Sequence, residues 1–264
     1  MSNGTRKIAV AYLARGADNS FRSSCERFLR SYRRWRPGVA HSLYVIFKGF
    51  ASADELGEAR DLFNIIPHHE LFLDDETFDI GAYLEWASRI DEEIICALNT
   101  SSEILSEDWL MKLAVNLEFS NVGLVGATGS FESLSELNSM FPGFPNPHLR
   151  SNAFMVDREL FCKIGAGNIF GEKLDAYLFE SGPKSMTRLI RAMGQEVQIV
   201  GSNGRGYSSK WWPSSETFRL GMQGNLLIAD NQTRNFSAYR WAEKQEFVFK
   251  TWGHFVRELD FINE

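Results

Sequence analysis

The chain has 264 residues, a formal net charge of −6, and 44% aliphatic, aromatic and sulfur-containing residues. That is enough apolar material for a sizeable core and too much for a disordered chain. The acidic balance speaks against sequence-independent nucleic-acid binding, which needs a basic surface, and apolar runs such as Ile94 to Leu98 are far too short to span a bilayer.

Residues 7–13 read as a buried strand. Residues 19–35 follow with helical spacing: Phe21, Cys25, Phe28, Leu29 and Tyr32 share one face, and Pro37-Gly38 is the stop. The basic residues of this region (Arg27, Arg30, Arg33, Arg34, Arg36) are expected on a solvated face. Then come a strand at 41–47, a helix at 53–63, a strand at 69–73, a helix at 80–90, a strand at 93–98, a helix at 106–117 and a strand at 122–125. Such alternation predicts parallel βαβ units in an α/β, Rossmann-like, doubly wound and mostly parallel sheet flanked by helices. Ligands in such sheets sit at the carboxyl ends of the strands, where strand order reverses.

The second half loses this rhythm. Residues 131–150, rich in Ser, Pro and Asn, read as a loop. A strand at 151–156, a helix at 158–164, a helix at 184–193 and a strand at 197–200 follow, then an aromatic, irregular tail with a final helix near 239–259. No repeat or linker divides the chain, so one domain over 1–264 is expected, with a nucleotide-binding half at about 7–130 and an acceptor-side half at about 131–264. The start of the chain lacks the apolar stretch of a signal peptide. Cys25, Cys96 and Cys162 have no CxxC spacing, so reduced thiols and a cytoplasmic location are expected. The sequons at Asn3, Asn99, Asn231 and Asn235 are then read as chance.

Several segments, in this order, resemble the plan of the GT-A glycosyltransferases. Phe78-Asp79-Ile80-Gly81-Ala82-Tyr83 is similar to the stretch where an Asp and a Gly approach the nucleotide. Glu93 to Ser101 sits where the strand with its DxD motif would be. Ser151 to Phe161, with Arg158-Glu159-Leu160-Phe161, resembles the strand and helix beyond the acceptor loop. Phe179-Glu180-Ser181-Gly182, with Thr187-Arg188 and Gly194, resembles the helix whose start carries an acidic residue. The resemblance implies a glycosyltransferase taking a nucleotide-diphospho-sugar donor and a glycan or other hydroxyl acceptor, with Mn²⁺ or Mg²⁺ as conceivable cofactors and surface-polysaccharide assembly as a setting. Non-catalytic nucleotide or glycan binding, and nucleotidyl transfer, are the competing functions.

The DxD position departs from the plan, reading Asn99-Thr100-Ser101. Neutral Asn and Ser hold a hard divalent cation poorly. A metal held elsewhere through Glu103, metal independence through cationic side chains and backbone N–H groups, and loss of catalysis are the three explanations; metal independence is favoured.

Glu180 is the candidate catalytic base, since a carboxylate within reach of an acceptor hydroxyl can take its proton; at a helix start it would also meet the positive end of the helix dipole. Asp79 and Gly81, Ala11 and Arg15 near the end of the first strand, and Asn99 and Ser101 are the expected nucleotide-sugar contacts. Helix capping is the plain alternative for Asp79. Weaker acceptor or sugar contacts are His148, Asn152 and the pair Trp211-Trp212, for which core packing is the commoner fate. The glycine-rich 201–206 loop with Arg205 offers N–H groups that could cradle phosphate. The acidic run Asp74-Asp75-Glu76 is read as a solvated turn, and His68 and His69 would point to opposite strand faces. GxSxG, HExxH and P-loop signatures are absent.

Overall fold

The computed structural model describes residues 6–256. In chain order the elements begin β1 (Ile8–Arg15), α1 (Phe21–Arg34), β2 (Ser42–Lys48), α2 (Ala53–Phe63), β3 (His69–Leu73), α3 (Asp79–Ala87) and β4 (Ile94–Leu98). Next are β5 (Glu103–Ile104), α4 (Trp109–Leu117), β6 (Val122–Gly126), β7 (Gly129–Ser130), β8 (His148–Leu149), β9 (Ala153–Asp157) and α5 (Arg158–Gly165). The remainder comprises α6 (Lys173–Ser181), α7 (Met186–Ala192), β10 (Glu196–Val200), β11 (Gly206–Ser208), β12 (Ile228–Ala229), α8 (Asn231–Ala238) and α9 (Trp241–Trp252), with a 3₁₀ turn at Ser209–Ser214.

Eight strands form the main sheet in the order β11-β10-β6-β9-β4-β1-β2-β3. It is mixed but mostly parallel: β9 runs antiparallel to β4 and β6, and β11 runs antiparallel to β10. Successive side chains of a strand point to opposite faces, and β1 shows the consequence. Ile8, Val10, Tyr12 and Ala14 enter one core; Ala9, Ala11 and Leu13 enter the other. Helix residues Phe28 of α1, Phe63 of α2 and Trp109 of α4 cover the first face. Tyr83 and Trp86 of α3, Phe161 of α5, Ile190 of α7 and Trp252 of α9 cover the second. A sheet buried on both sides demands near-continuous apolar strands, which is why β1 and β4 read so plainly in the sequence.

Several expectations change, among them the helices expected at 80–90 and 106–117, which run Asp79–Ala87 and Trp109–Leu117. Residues 173–181, without an assignment in the sequence reading, form α6, opened by the Glu172 backbone N–H donating to Asp175 (2.8 Å). The helix expected at 184–193 is shorter, Met186–Ala192, with Ser185 as its cap. The 131–150 loop is pinned at its ends by the β7–β8 pair. The last helix starts at Trp241 and ends at Trp252; its expected end at Leu259 lies outside the described residues, as does Asn3. Among the described residues no helix is long and apolar enough to cross a membrane.

Candidate functional site

From β1 the chain moves outward to β2 and β3, whereas β4 lies on the opposite side of β1. The strand order therefore reverses between β1 and β4. A cleft of about 750 Å³ opens there, lined by Arg15 at the end of β1 and by Asn99, Thr100 and Ser101 after β4.

One wall is built on charged groups. The Arg15 guanidinium holds Asp75 through two hydrogen bonds (2.9 and 2.7 Å) and Asp18 through a third (2.9 Å). Lys48, wholly buried at the end of β2, lies 3.3 Å from Asp75 without good hydrogen-bond alignment. Burial alone would raise the Asp75 carboxyl, but Arg15 and Lys48 together hold it below its ordinary value. Asp75 is thus the residue that orients Arg15, not a member of a merely solvated turn.

Asp79 lines the same wall with no hydrogen-bond partner among the described residues. Burial, reinforced by the charges of Asp18 and Glu180, pushes its carboxyl up to about 6 against the opposing pull of Lys48 and Arg15. It does not cap α3: Phe78 is the capping residue and Asp79 begins the helix.

The Asn99-Thr100-Ser101 turn is self-contained. Asn99 Oδ1 accepts from the Ser101 N–H (3.1 Å) and the Ser102 hydroxyl (3.0 Å), and the Thr100 carbonyl accepts from the Tyr12 hydroxyl (2.7 Å). The one side-chain oxygen of Asn99 that could meet a cation is therefore spent on the turn. Glu103 accepts from Arg234 (3.3 Å) and lies 3.7 Å from Arg27, and it does not line the cleft. Among the described residues no three His, Cys, Asp or Glu side chains are grouped to hold a metal ion. This donor set does not fit a divalent cation of the DxD kind.

A second wall comes from the segment entering β9, from α6 and from the approach to α8. Glu180 Oε2 accepts from the Ser151 backbone N–H (2.7 Å) and from the Ser151 hydroxyl, leaving Oε1 without a partner among the described residues. Its position corrects the sequence reading. Glu180 lies in the last turn of α6, not at a helix start, so the positive end of a helix dipole is not beside it. His148 Nδ1 is 2.7 Å from the Asn146 carbonyl, which makes Nδ1 the protonated nitrogen. Burial lowers the His148 pKa despite the nearby Glu180, so the ring is neutral near pH 7 and Nε2 is its acceptor.

Arg150 donates to Asp230 (2.7 Å) and Thr128 (3.2 Å) and lies 4.2 Å above the Phe218 ring. Asp230 is fully buried; burial would raise its carboxyl, but Arg150 and the Thr233 N–H hold it below its ordinary value. Arg219, in left-handed backbone conformation (φ 45°), covers the same Phe218 ring and donates to Glu132 (2.9 Å) and Gln232 (3.0 Å).

Of the residues singled out from the sequence, Arg15, Asp79, Asn99, Ser101, His148, Asn152 and Glu180 share this cleft. Ala11 does not: it is in the middle of β1, wholly buried in the core. Gly81 faces away from the cleft, and a Cβ there would fall 2.7 Å from Thr77 and 3.1 Å from Phe170, so helix packing explains the glycine. Trp212 is a core residue whose indole N–H donates to the Tyr207 carbonyl (2.8 Å); Trp211 is exposed, and neither lines the cleft. The 201–206 loop is also elsewhere, its N–H groups already used by Asn225, Asn203 and carbonyls of the loop itself. Sequence reasoning missed Arg150, Arg219 and Asp230, which are scattered in sequence and meet only through the fold, and it took Asp75, the partner of Arg15, for part of a solvated turn.

No protein-family model matches the chain, and no curated protein does. Among solved structures, mannosyltransferase PcManGT from Pyrobaculum calidifontis, in complex with GDP-Man and Mn²⁺, superposes with a TM-score of 0.51 at 14% identity, covering 74% of this chain and 55% of that one. The chain thus spans about half the length of that mannosyltransferase. The 4-diphosphocytidyl-2C-methyl-D-erythritol synthase from Anaerococcus prevotii matches over 76% of this chain and 88% of its own, with a TM-score of 0.48 and 13% identity. The chain has a GT-A-like fold, a mostly parallel sheet flanked by helices that is similar to that of the mannosyltransferase.

Proposed function

We propose that this chain is a glycosyltransferase that moves a sugar from a nucleotide-diphospho-sugar to a hydroxyl acceptor across the cleft between β1 and β4. The observation that carries the reading is a shared cavity at the strand-order switch, which Arg15, Asp79 and the 99–101 turn line together with Glu180 and His148. The first wall suits the donor. Asp79 can accept from ribose hydroxyls, and Arg15, fixed by two carboxylates, presents a guanidinium whose orientation is set before the ligand arrives.

On the second wall, Glu180 and His148 suit the acceptor. In a direct displacement the acceptor oxygen forms its bond to the anomeric carbon as the bond to the diphosphate oxygen breaks, the electron pair leaving with the nucleotide. The hydroxyl proton goes to a base, and Glu180 Oε1 fills that role because Ser151 fixes the other oxygen. His148 Nε2 accepts from a neighbouring sugar hydroxyl and helps place the acceptor.

The test is product analysis with UDP-, GDP-, CDP- and dTDP-sugars and a set of simple glycosides. Release of the nucleoside diphosphate with a new glycoside is the expected result. Release of pyrophosphate from a nucleoside triphosphate and a sugar phosphate would assign nucleotidyl transfer instead.

A further inference from the structure

Two ion-paired guanidinium groups connect to the 99–101 turn, Arg234 with Glu103 and Arg150 with Asp230. Arg234 donates directly to the Ser101 carbonyl (3.0 Å). Arg150 is linked to the turn through a relay: it donates to Thr128, Thr128 donates to Asn152 Oδ1 (2.7 Å), and the Asn152 carbonyl accepts from the Asn99 N–H (3.0 Å).

A second observation is independent of charge. Asn152 is 3% exposed and lines the cleft, yet its Nδ2 has no hydrogen-bond partner. A buried amide donor left unpaired in a ligand cleft calls for an acceptor from outside the chain. A third is directional. α8 starts beside the cleft, where Asn231 and Gln232 line it, so the positive end of that helix meets the cavity. Asp230 does not cancel these donors. It is fully buried with one oxygen on Arg150 and the other on the Thr233 N–H (2.9 Å), so it sets the plane of the guanidinium, which Phe218 supports from one side.

We infer that the donor's diphosphate is held directly by the Arg150 guanidinium, the Asn152 amide and the first turn of α8, with no bridging divalent cation. The inference rests on the transferase reading above and names the group that would stabilise the departing nucleotide. Planar guanidinium groups suit this task because they offer paired N–H donors to phosphate oxygens.

The test is calorimetric titration of the whole chain with UDP, GDP, CDP and dTDP, in excess EDTA and again with Mn²⁺. One diphosphate is expected to bind in EDTA with an affinity within about threefold of that in Mn²⁺. Replacing the buried pair together, Arg150→Gln with Asp230→Asn, removes the cation without stranding its carboxylate, and Asn keeps the α8 cap. That variant should bind the same diphosphate at least tenfold more weakly while its affinity for the matching nucleoside changes less than twofold. Binding that requires Mn²⁺ in the wild type, or a folded double variant with undiminished diphosphate affinity, would overturn the diphosphate subsite and leave the transferase reading standing. Absence of binding for all four diphosphates in both conditions would overturn both. The wild-type comparison decides the matter even if the double variant does not fold.

Discussion

At the scale of single residues, Glu180 and Asp79 are two carboxylates in one cleft with different surroundings. Glu180 is anchored by Ser151, whereas Asp79 is desolvated and has no hydrogen-bond partner among the described residues. The Glu180→Gln variant keeps the shape and the Ser151 contacts but cannot take a proton. We expect turnover to fall by about 100-fold or more with little change in donor affinity, the loss typical of a missing general base. Near-normal turnover by initial-rate assay would remove Glu180 from that role.

Asp79 makes a prediction about stability. Its folded-state pKa of about 6 lies above the ordinary carboxylate value, so its proton favours the folded state. That contribution is fully present below about pH 4 and is lost as pH rises through about 6. Asp79→Asn should therefore stabilise the fold by about 1–2 kcal/mol at neutral pH, allowing for solvent screening of a partly exposed group. Urea unfolding from pH 4 to 8 should show the gap between wild type and variant widening up to about pH 6 and level above it. A gap independent of pH would show that Asp79 is not desolvated.

Among the elements, the caps show how locally the sequence encodes its helices. Asp157 ends β9 and its carboxylate accepts from the Leu160 N–H (3.0 Å) to start α5. Asp157→Ala should cost about 1 kcal/mol in urea unfolding, and an unchanged midpoint would deny the cap its role. The strands of the first half, and α2 and β3 to the residue, are legible because a doubly covered sheet imposes apolar runs and the helices between them have clear stops. α6 carried its own signals, a capping pair at Glu172 and Asp175 and a Gly182-Pro183 stop, yet its nine residues are too few for a compelling apolar period. Missing it misplaced Glu180 from the end of one helix to the start of another. Trp212, a weaker candidate for sugar contact with core packing as its commoner fate, lies in the core; Trp212→Ala should cost about 3–5 kcal/mol, measurable in the same unfolding experiment.

At the scale of the molecule, strand order determines the position of the cleft, and alternation alone could foretell that a switch point exists. What alternation could not foretell is the second wall, where His148, Glu180, Arg150 and Arg219 come from segments up to 71 residues apart in sequence and converge only after β9 inserts between β4 and β6. Their meeting depends on tertiary packing and on the left-handed turns at Glu216, Arg219 and Gln223, and no short motif carries that information. The surroundings of the neutral 99–101 turn are likewise visible only in the fold, where Arg234 donates to the Ser101 carbonyl and Arg150 reaches the turn through Thr128 and Asn152.

Binding of a nucleoside diphosphate in this cleft is measured by thermal unfolding with UDP, GDP, CDP and dTDP, each in EDTA and with Mn²⁺. A ligand at about one hundred times its dissociation constant stabilises a fold by roughly 2.7 kcal/mol, which for a chain of this size raises the midpoint by about 5–10 °C. Such a rise is expected with one of the four diphosphates, already present in EDTA. No rise with any of them, with or without Mn²⁺, would contradict it.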